Sequence, residues 1–127
     1  MSRLGPSLVI AATLAAAGCD DRSDVASCTI SGSADAGVAQ TTCWELSGLT
    51  AESRHVFSDS CFVSTAQFGE DATARLAYAP CPRAGALGGC RLNASSDTTF
   101  WYYAGGQYAA DDIPALCVQI NATFVAP

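Results

Sequence analysis

The sequence predicts a small, disulfide-rich α+β domain. Three observations predict it. Six cysteines, Cys28, Cys43, Cys61, Cys81, Cys90 and Cys117, follow a seventh, Cys19, in a chain of 127 residues. Two segments rich in β-branched and aromatic residues run into glycines. Two other segments place apolar residues at helical spacing. The length fits one domain. Half of the residues are hydrophobic, but 24 are alanine and 7 are cysteine. Large core-forming side chains are therefore scarce, and a small domain of this kind leans on covalent staples.

Residues 41–47 and 98–104 read as strands, because β-branched and aromatic side chains suit a pleated surface. Residues 89–94 lead through Ser95, Ser96 and Asp97, turn-forming residues, into the second strand, which makes a hairpin. Thr50 can cap a helix starting at Ala51, with Glu52 favourably placed in its first turn. That helix runs to about Phe62 and turns Val56, Phe57 and Cys61 inward. Ile113, Leu116, Cys117 and Ile120 follow the i, i+3, i+4, i+7 spacing of a second helix. Asp111 or Asp112 caps it, and Pro114 fits only its first turn. Residues 75–79 form a short strand, within an otherwise loop-like stretch from 69 to 89.

A weak internal repeat divides the chain into halves at 28–68 and 81–127. Thr41-Thr42-Cys43-Trp44 resembles Thr98-Thr99-Phe100-Trp101, and Gly48 matches Gly105. Ala66-Gln67-Phe68 resembles Ala122-Thr123-Phe124. Six cysteines allow 15 pairings. Related halves would favour Cys28–Cys61 and Cys90–Cys117, each pinning a helix to its own hairpin, with Cys43–Cys81 joining the halves.

The N-terminus reads as an address. Met1-Ser2-Arg3 is a positive start, and residues 7–17 are an apolar stretch too short to span a bilayer. Ala16-Ala17-Gly18 then precede Cys19. This order resembles the lipobox of bacterial lipoproteins, although Ala16 stands where that family prefers leucine. The resemblance implies a signal peptide over 1–18, removed before Cys19, and a thioether-linked diacylglycerol on Cys19. Cleavage near Ala15-Ala16-Ala17 by an ordinary signal peptidase is the alternative. Residues 19–27 then form an acidic tether and 28–127 the folded domain. The chain from Cys19 carries 12 acids against five arginines, a formal charge of −7, and no lysine. Such a balance opposes nucleic acid, which needs clustered positive charge. It also leaves membrane attachment to the acyl chains alone. With Cys19 lipidated, six cysteines remain, an even number suited to three disulfides in an oxidising compartment.

Catalytic patterns are sparse. His55 is the only histidine and lies four residues before Asp59, but no G-x-S-x-G accompanies it. A solvated helix-surface histidine is the favoured reading. One histidine with six oxidised cysteines leaves no zinc ligand set, and no cofactor motif is present. The acidic pairs Asp20-Asp21, Glu70-Asp71 and Asp111-Asp112 are adjacent in sequence and so point apart. The sequons at Asn93 and Asn121 are silent in a bacterial lipoprotein.

The most informative segment is Phe100-Trp101-Tyr102-Tyr103, with Tyr108 nearby. Strand alternation puts Trp101 and Tyr103 on one face and Phe100 and Tyr102 on the other. The first pair is expected in the core, in the role of Trp44 and Leu46. Phe100, Tyr102 and Tyr108 are then a candidate binding patch for an envelope protein or a glycan, unless a helix or loop covers them. Cys81-Pro82, Gly88-Gly89-Cys90-Arg91-Leu92, Trp101-Tyr102-Tyr103, Cys117 and the closing Ala122-Thr123-Phe124 together resemble small cysteine-rich envelope lipoproteins of Gram-negative bacteria that have no assigned activity. That resemblance implies a cell-envelope location. The expected function is a membrane-anchored, non-enzymatic binding domain. A secreted disulfide-rich inhibitor or effector is the alternative, and a small hydrolase the third reading.

Overall fold

The computed structural model describes residues 23–33 and 39–127. The expected signal peptide, Cys19 and the start of the expected tether lie outside the described residues. The elements are β1 (Ala26–Ser33), β2 (Ala39–Leu46), α1 (Ala51–Val63), β3 (Thr73–Ala77), β4 (Ala86–Leu92), β5 (Thr98–Tyr103), α2 (Ile113–Gln119) and β6 (Ala122–Val125). Single 3₁₀ turns follow α1 at Ser64–Gln67 and precede α2 at Ala110–Asp112. The strands form one antiparallel sheet in the order β3-β1-β2-β5-β4-β6. The same plan occurs twice: a hairpin, a helix, then a return strand beside the first strand of the hairpin. The two sets meet where β2 pairs with β5.

Cross-strand partners share a face of an antiparallel sheet. One such row runs Leu76, Cys28, Trp44, Phe100, Cys90 and Phe124 across all six strands. Cys28 is bonded to Cys61 of α1, and Cys90 to Cys117 of α2. Both helices therefore lie on the same face. Thr50 caps α1: its hydroxyl accepts from the Ser53 backbone N–H, and the Ser53 hydroxyl accepts from the Thr50 N–H. Phe57 and Cys61 bury against Ala26, Cys28 and Ile30. Ile113 and Cys117 of α2 bury against Cys90 and Ala122. Helix α1 packs over β1 and β3, and α2 over β4 and β6. The central pair β2/β5 lies between them.

The opposite face is crossed by residues 78–85, which join β3 to β4. The crossing passes three strands, β1, β2 and β5. At the spacing of a sheet that is about 19 Å, and eight residues reach at most about 26–29 Å. The segment is a taut strap. Cys81 is bonded to Cys43 at its middle. The Cys81 N–H donates to Glu45 Oε2 at 2.7 Å, and Tyr103 donates its hydroxyl to the Pro82 carbonyl at 2.7 Å. The Arg83 guanidinium lies 3.6 Å from the Trp101 ring centroid and pairs with Glu45 at 3.3 Å. Cys43, Cys81 and Trp101 form the buried cluster beneath it.

Several expectations are corrected. Trp44 and Trp101 lie on opposite faces, so Trp101 does not repeat the role of Trp44; Phe100 stands opposite Trp44 in the register. The counterpart of β6 is β3, since each returns beside the first strand of its hairpin, whereas Ala66–Phe68 belongs to the 3₁₀ turn after α1. Val56 is 57% exposed, because it lies about 100° around the helix from Phe57. Ile120 is 38% exposed at the end of α2. The folded region begins at Ala26, two residues inside the expected tether. Strand β3 starts at Thr73 and β4 at Ala86, within the stretch expected to be loop. The Asp112 carboxylate bonds the Ala109 N–H at 2.8 Å rather than capping α2 itself.

Candidate aromatic groove

The gap between the two helices exposes the middle of the sheet. Trp44 of β2 and Phe100 of β5 are direct cross-strand partners, and their rings stack at a centroid distance of 6.2 Å. Trp44 also contacts Phe57 of α1 at 4.8 Å. Two residues along β5, Tyr102 meets Tyr108 edge-on at 5.6 Å. The expected patch residues Phe100, Tyr102 and Tyr108 are thus brought to one side of the molecule. All three are half-buried, as is Trp44.

A cavity of about 280 Å³ opens beside this row on the α1 side. Cys28, Ile30, Thr42, Trp44, Phe68 and Phe100 line it, together with Ser64. The walls come from three strands and the turn after α1, so the disulfide Cys28–Cys61 fixes their spacing. On the other side, Tyr108, Asp111, Asp112 and Leu116 border a shallower hollow of about 410 Å³ with two carboxylates at its rim. The apolar cavity is shaped for a ring or a short side chain; the second hollow adds acceptors for hydroxyl or amide donors.

The loop bearing Tyr108 is held by Gln40, which sequence reasoning missed. Gln40 is buried, and its Oε1 accepts from the Gln107 N–H at 2.9 Å. Gly106 packs so closely on the Gln40 side chain that a Cβ has no room. The only trace of this latch in the sequence is a glutamine at the start of the strand. Burial raises the Tyr102 phenol above its ordinary range, and Tyr108 adds to the rise. Tyr102 is therefore neutral at physiological pH and offers a hydroxyl that can donate and accept. The indole N–H groups of Trp44 and Trp101 are buried with no acceptor among the described residues.

The remaining candidates stay apart from the groove. His55 and Asp59 are both exposed, 3.5 Å apart on the outer side of α1. Among the described residues, no three His, Cys, Asp or Glu side chains gather closely enough to hold a metal ion. The sequon residues form a clamp: Asn93 Nδ2 donates to Asn121 Oδ1 at 3.2 Å, and Thr123 donates its hydroxyl to Asn93 Oδ1 at 2.7 Å. Asn121 takes φ 55°, the left-handed turn that leads from α2 into β6. No helix among the described residues is long and apolar enough to cross a membrane. The three disulfides belong to an oxidising compartment outside the cytoplasm. No family model, curated protein or solved structure matches the chain.

Proposed function

We propose that this chain is an envelope lipoprotein, anchored through Cys19, whose disulfide-stapled domain binds an envelope protein or surface glycan without catalysing a reaction. We further propose that its two hairpin–helix–strand sets are related halves. The observation that carries the binding reading is the row Trp44, Phe100, Tyr102 and Tyr108, left half-open between two covalently fixed helices. Aromatic rings supply contact area with few rotatable bonds, and a rigid frame reduces the ordering cost of binding. The short, acidic segment after Cys19 would hold such a groove close to the membrane surface. The lipobox resemblance supports the anchor; the paired topology and equivalent disulfides support the halves.

Two experiments test this. Intact mass of the protein made with its own leader should show a chain starting at Cys19 with acyl groups, and Cys19→Ser should abolish them. An unlipidated chain removes the anchor. For binding, a photoreactive residue replaces Gln107 on the exposed rim, since the absence of lysine disables amine crosslinkers. Its adducts on whole membranes, or co-sedimentation with purified envelope glycan, should fall about tenfold with Tyr108→Ser. Unchanged adducts and unchanged co-sedimentation in the folded Tyr108→Ser variant would overturn the groove as the binding site.

A further inference from the structure

We propose that the outer edge of β6 pairs with β6 of a second copy of this chain, joining two sheets into one across a two-fold axis. Residues 113–127 contain no charged side chain, in a chain of net charge −6. This segment forms α2, β6 and the surface around them. Val118 is 78%, Ile120 38% and Phe124 40% exposed there. Like-charged molecules repel, so two copies of an acidic protein associate best through a segment with no acidic side chain, and the charge bordering β6 is the cationic Arg91, cross-strand partner of Thr123 on β4.

The backbone of β6 is ready for a strand. Asn93 N–H donates to the Asn121 carbonyl at 3.2 Å, in the same register that pairs Arg91 with Thr123 and Gly89 with Val125. Antiparallel ladders alternate, so the N–H and C=O groups of Thr123 and Val125 point to β4. Those of Ala122 and Phe124 point to the open edge. A second β6 centred on Thr123 would pair Ala122 with Phe124 of the other copy and Phe124 with its Ala122. That register places every outward group of the strand against a partner. It sets the two Thr123 residues side by side and brings the two Phe124 rings onto the same face, next to Val118 and Ile120. The other edge is defended differently: β3 carries Arg75 in its middle, and Arg54 lies 5.0 Å over Tyr78 beside it. A charged edge at β3 and an uncharged one at β6 favour a closed dimer over an open fibre.

Sedimentation equilibrium of the purified full protein in density-matched detergent tests this, whether or not it is acylated. A monomer–dimer equilibrium in the micromolar range is expected. Thr123→Lys places two ammonium groups together on the axis, and Val118→Lys adds charge at a largely exposed helix position outside the core cluster of α2. Each should weaken dimerisation at least about tenfold, with circular dichroism of Val118→Lys unchanged and its Tm unchanged at concentrations where both proteins are monomeric. A protein monomeric at every concentration overturns the proposal. So does a dimer that Val118→Lys and Thr123→Lys leave intact, which would place self-association elsewhere.

Discussion

Tyr108 reaches Tyr102 because Gln40 holds the loop between them and lies almost against Gly106. A methyl group at position 106 would collide with the buried amide, whose own displacement would break its bond to Gln107. Gly106→Ala should therefore cost about 1–3 kcal/mol and move Tyr108 off Tyr102. Thermal unfolding gives the first quantity. Phenol titration gives the second, because burial raises Tyr102 and Tyr108 raises it further. Tyr103 is raised too: burial outweighs the lowering by Arg83, and Glu45 raises it. A phenol whose pKa is higher folded than unfolded stabilises the fold below the unfolded value, about 10. That contribution disappears as pH rises through the elevated folded values. Stability should thus fall above about pH 10, with Tyr102 and Tyr103 ionising late. Gly106→Ala should lower the transition of Tyr102 and leave that of Tyr103 in place; two unshifted late phenolates would mean the loop does not depend on Gln40.

The strap and the strands show how structure follows from local chemistry at the next scale. Glu45, Cys43 and Trp101 present a carboxylate, a sulfur and a ring to residues 81–83, and each is met. Arg83→Ala removes the ring stacking and the ion pair together. It should cost about 1–2 kcal/mol, since the pair is partly solvated, and expose Trp101 to water. A red shift of tryptophan emission at unchanged far-UV dichroism would show the strap lifting from an intact sheet; an unchanged spectrum would show Cys43–Cys81 sufficient to hold it. This strap was invisible in the sequence, where Pro80, Pro82 and the glycines read only as loop. Helix α1 was legible, because Thr50 and the Phe57/Cys61 spacing act locally. Val56 misled, because one step around a helix separates a buried face from water. Strand β1, with the sequence ASCTISGS, hides among serines and glycine, and only Ala26, Cys28 and Ile30 mark its inner face. The disulfide pairing was legible: the bonds formed are the pairs that related halves would favour. The strand match was one residue out of register, and with a side-chain period of two that slip exchanges the faces of Trp44 and Trp101. Phe100 and Tyr102 share a face because they alternate within one strand, and Tyr108 joins them from the loop beyond it.

Taken whole, the molecule replaces a large core with covalent closure. Among the described residues, fully buried side chains other than cysteine are few: Ile113 is the one large residue among them, beside Cys28, Cys43, Cys61, Cys90 and Cys117. The disulfides close loops with sequence separations of 33, 38 and 27 residues. On the chain-entropy view each contributes about 3.5–4 kcal/mol. A domain of this size has a total of about 5–15 kcal/mol. Loss of one bond should therefore leave a folded but weakened protein, and loss of all three should leave none. The three bonds are not equivalent. Cys28–Cys61 and Cys43–Cys81 span overlapping stretches, so removing either leaves the other constraining much of the same chain. Cys90–Cys117 alone constrains the second hairpin and α2. Paired alanine substitution at Cys90 and Cys117 should lower Tm by about 15–25 °C, and more than the same change at Cys43 and Cys81. It should also loosen the α2 side of the groove, and weaken any ligand held there, before the fold is lost. Complete reduction should abolish cooperative thermal unfolding at neutral pH. A reduced protein that still melts sharply would mean that the aromatic row and the strap, not the sulfurs, hold the sheet together.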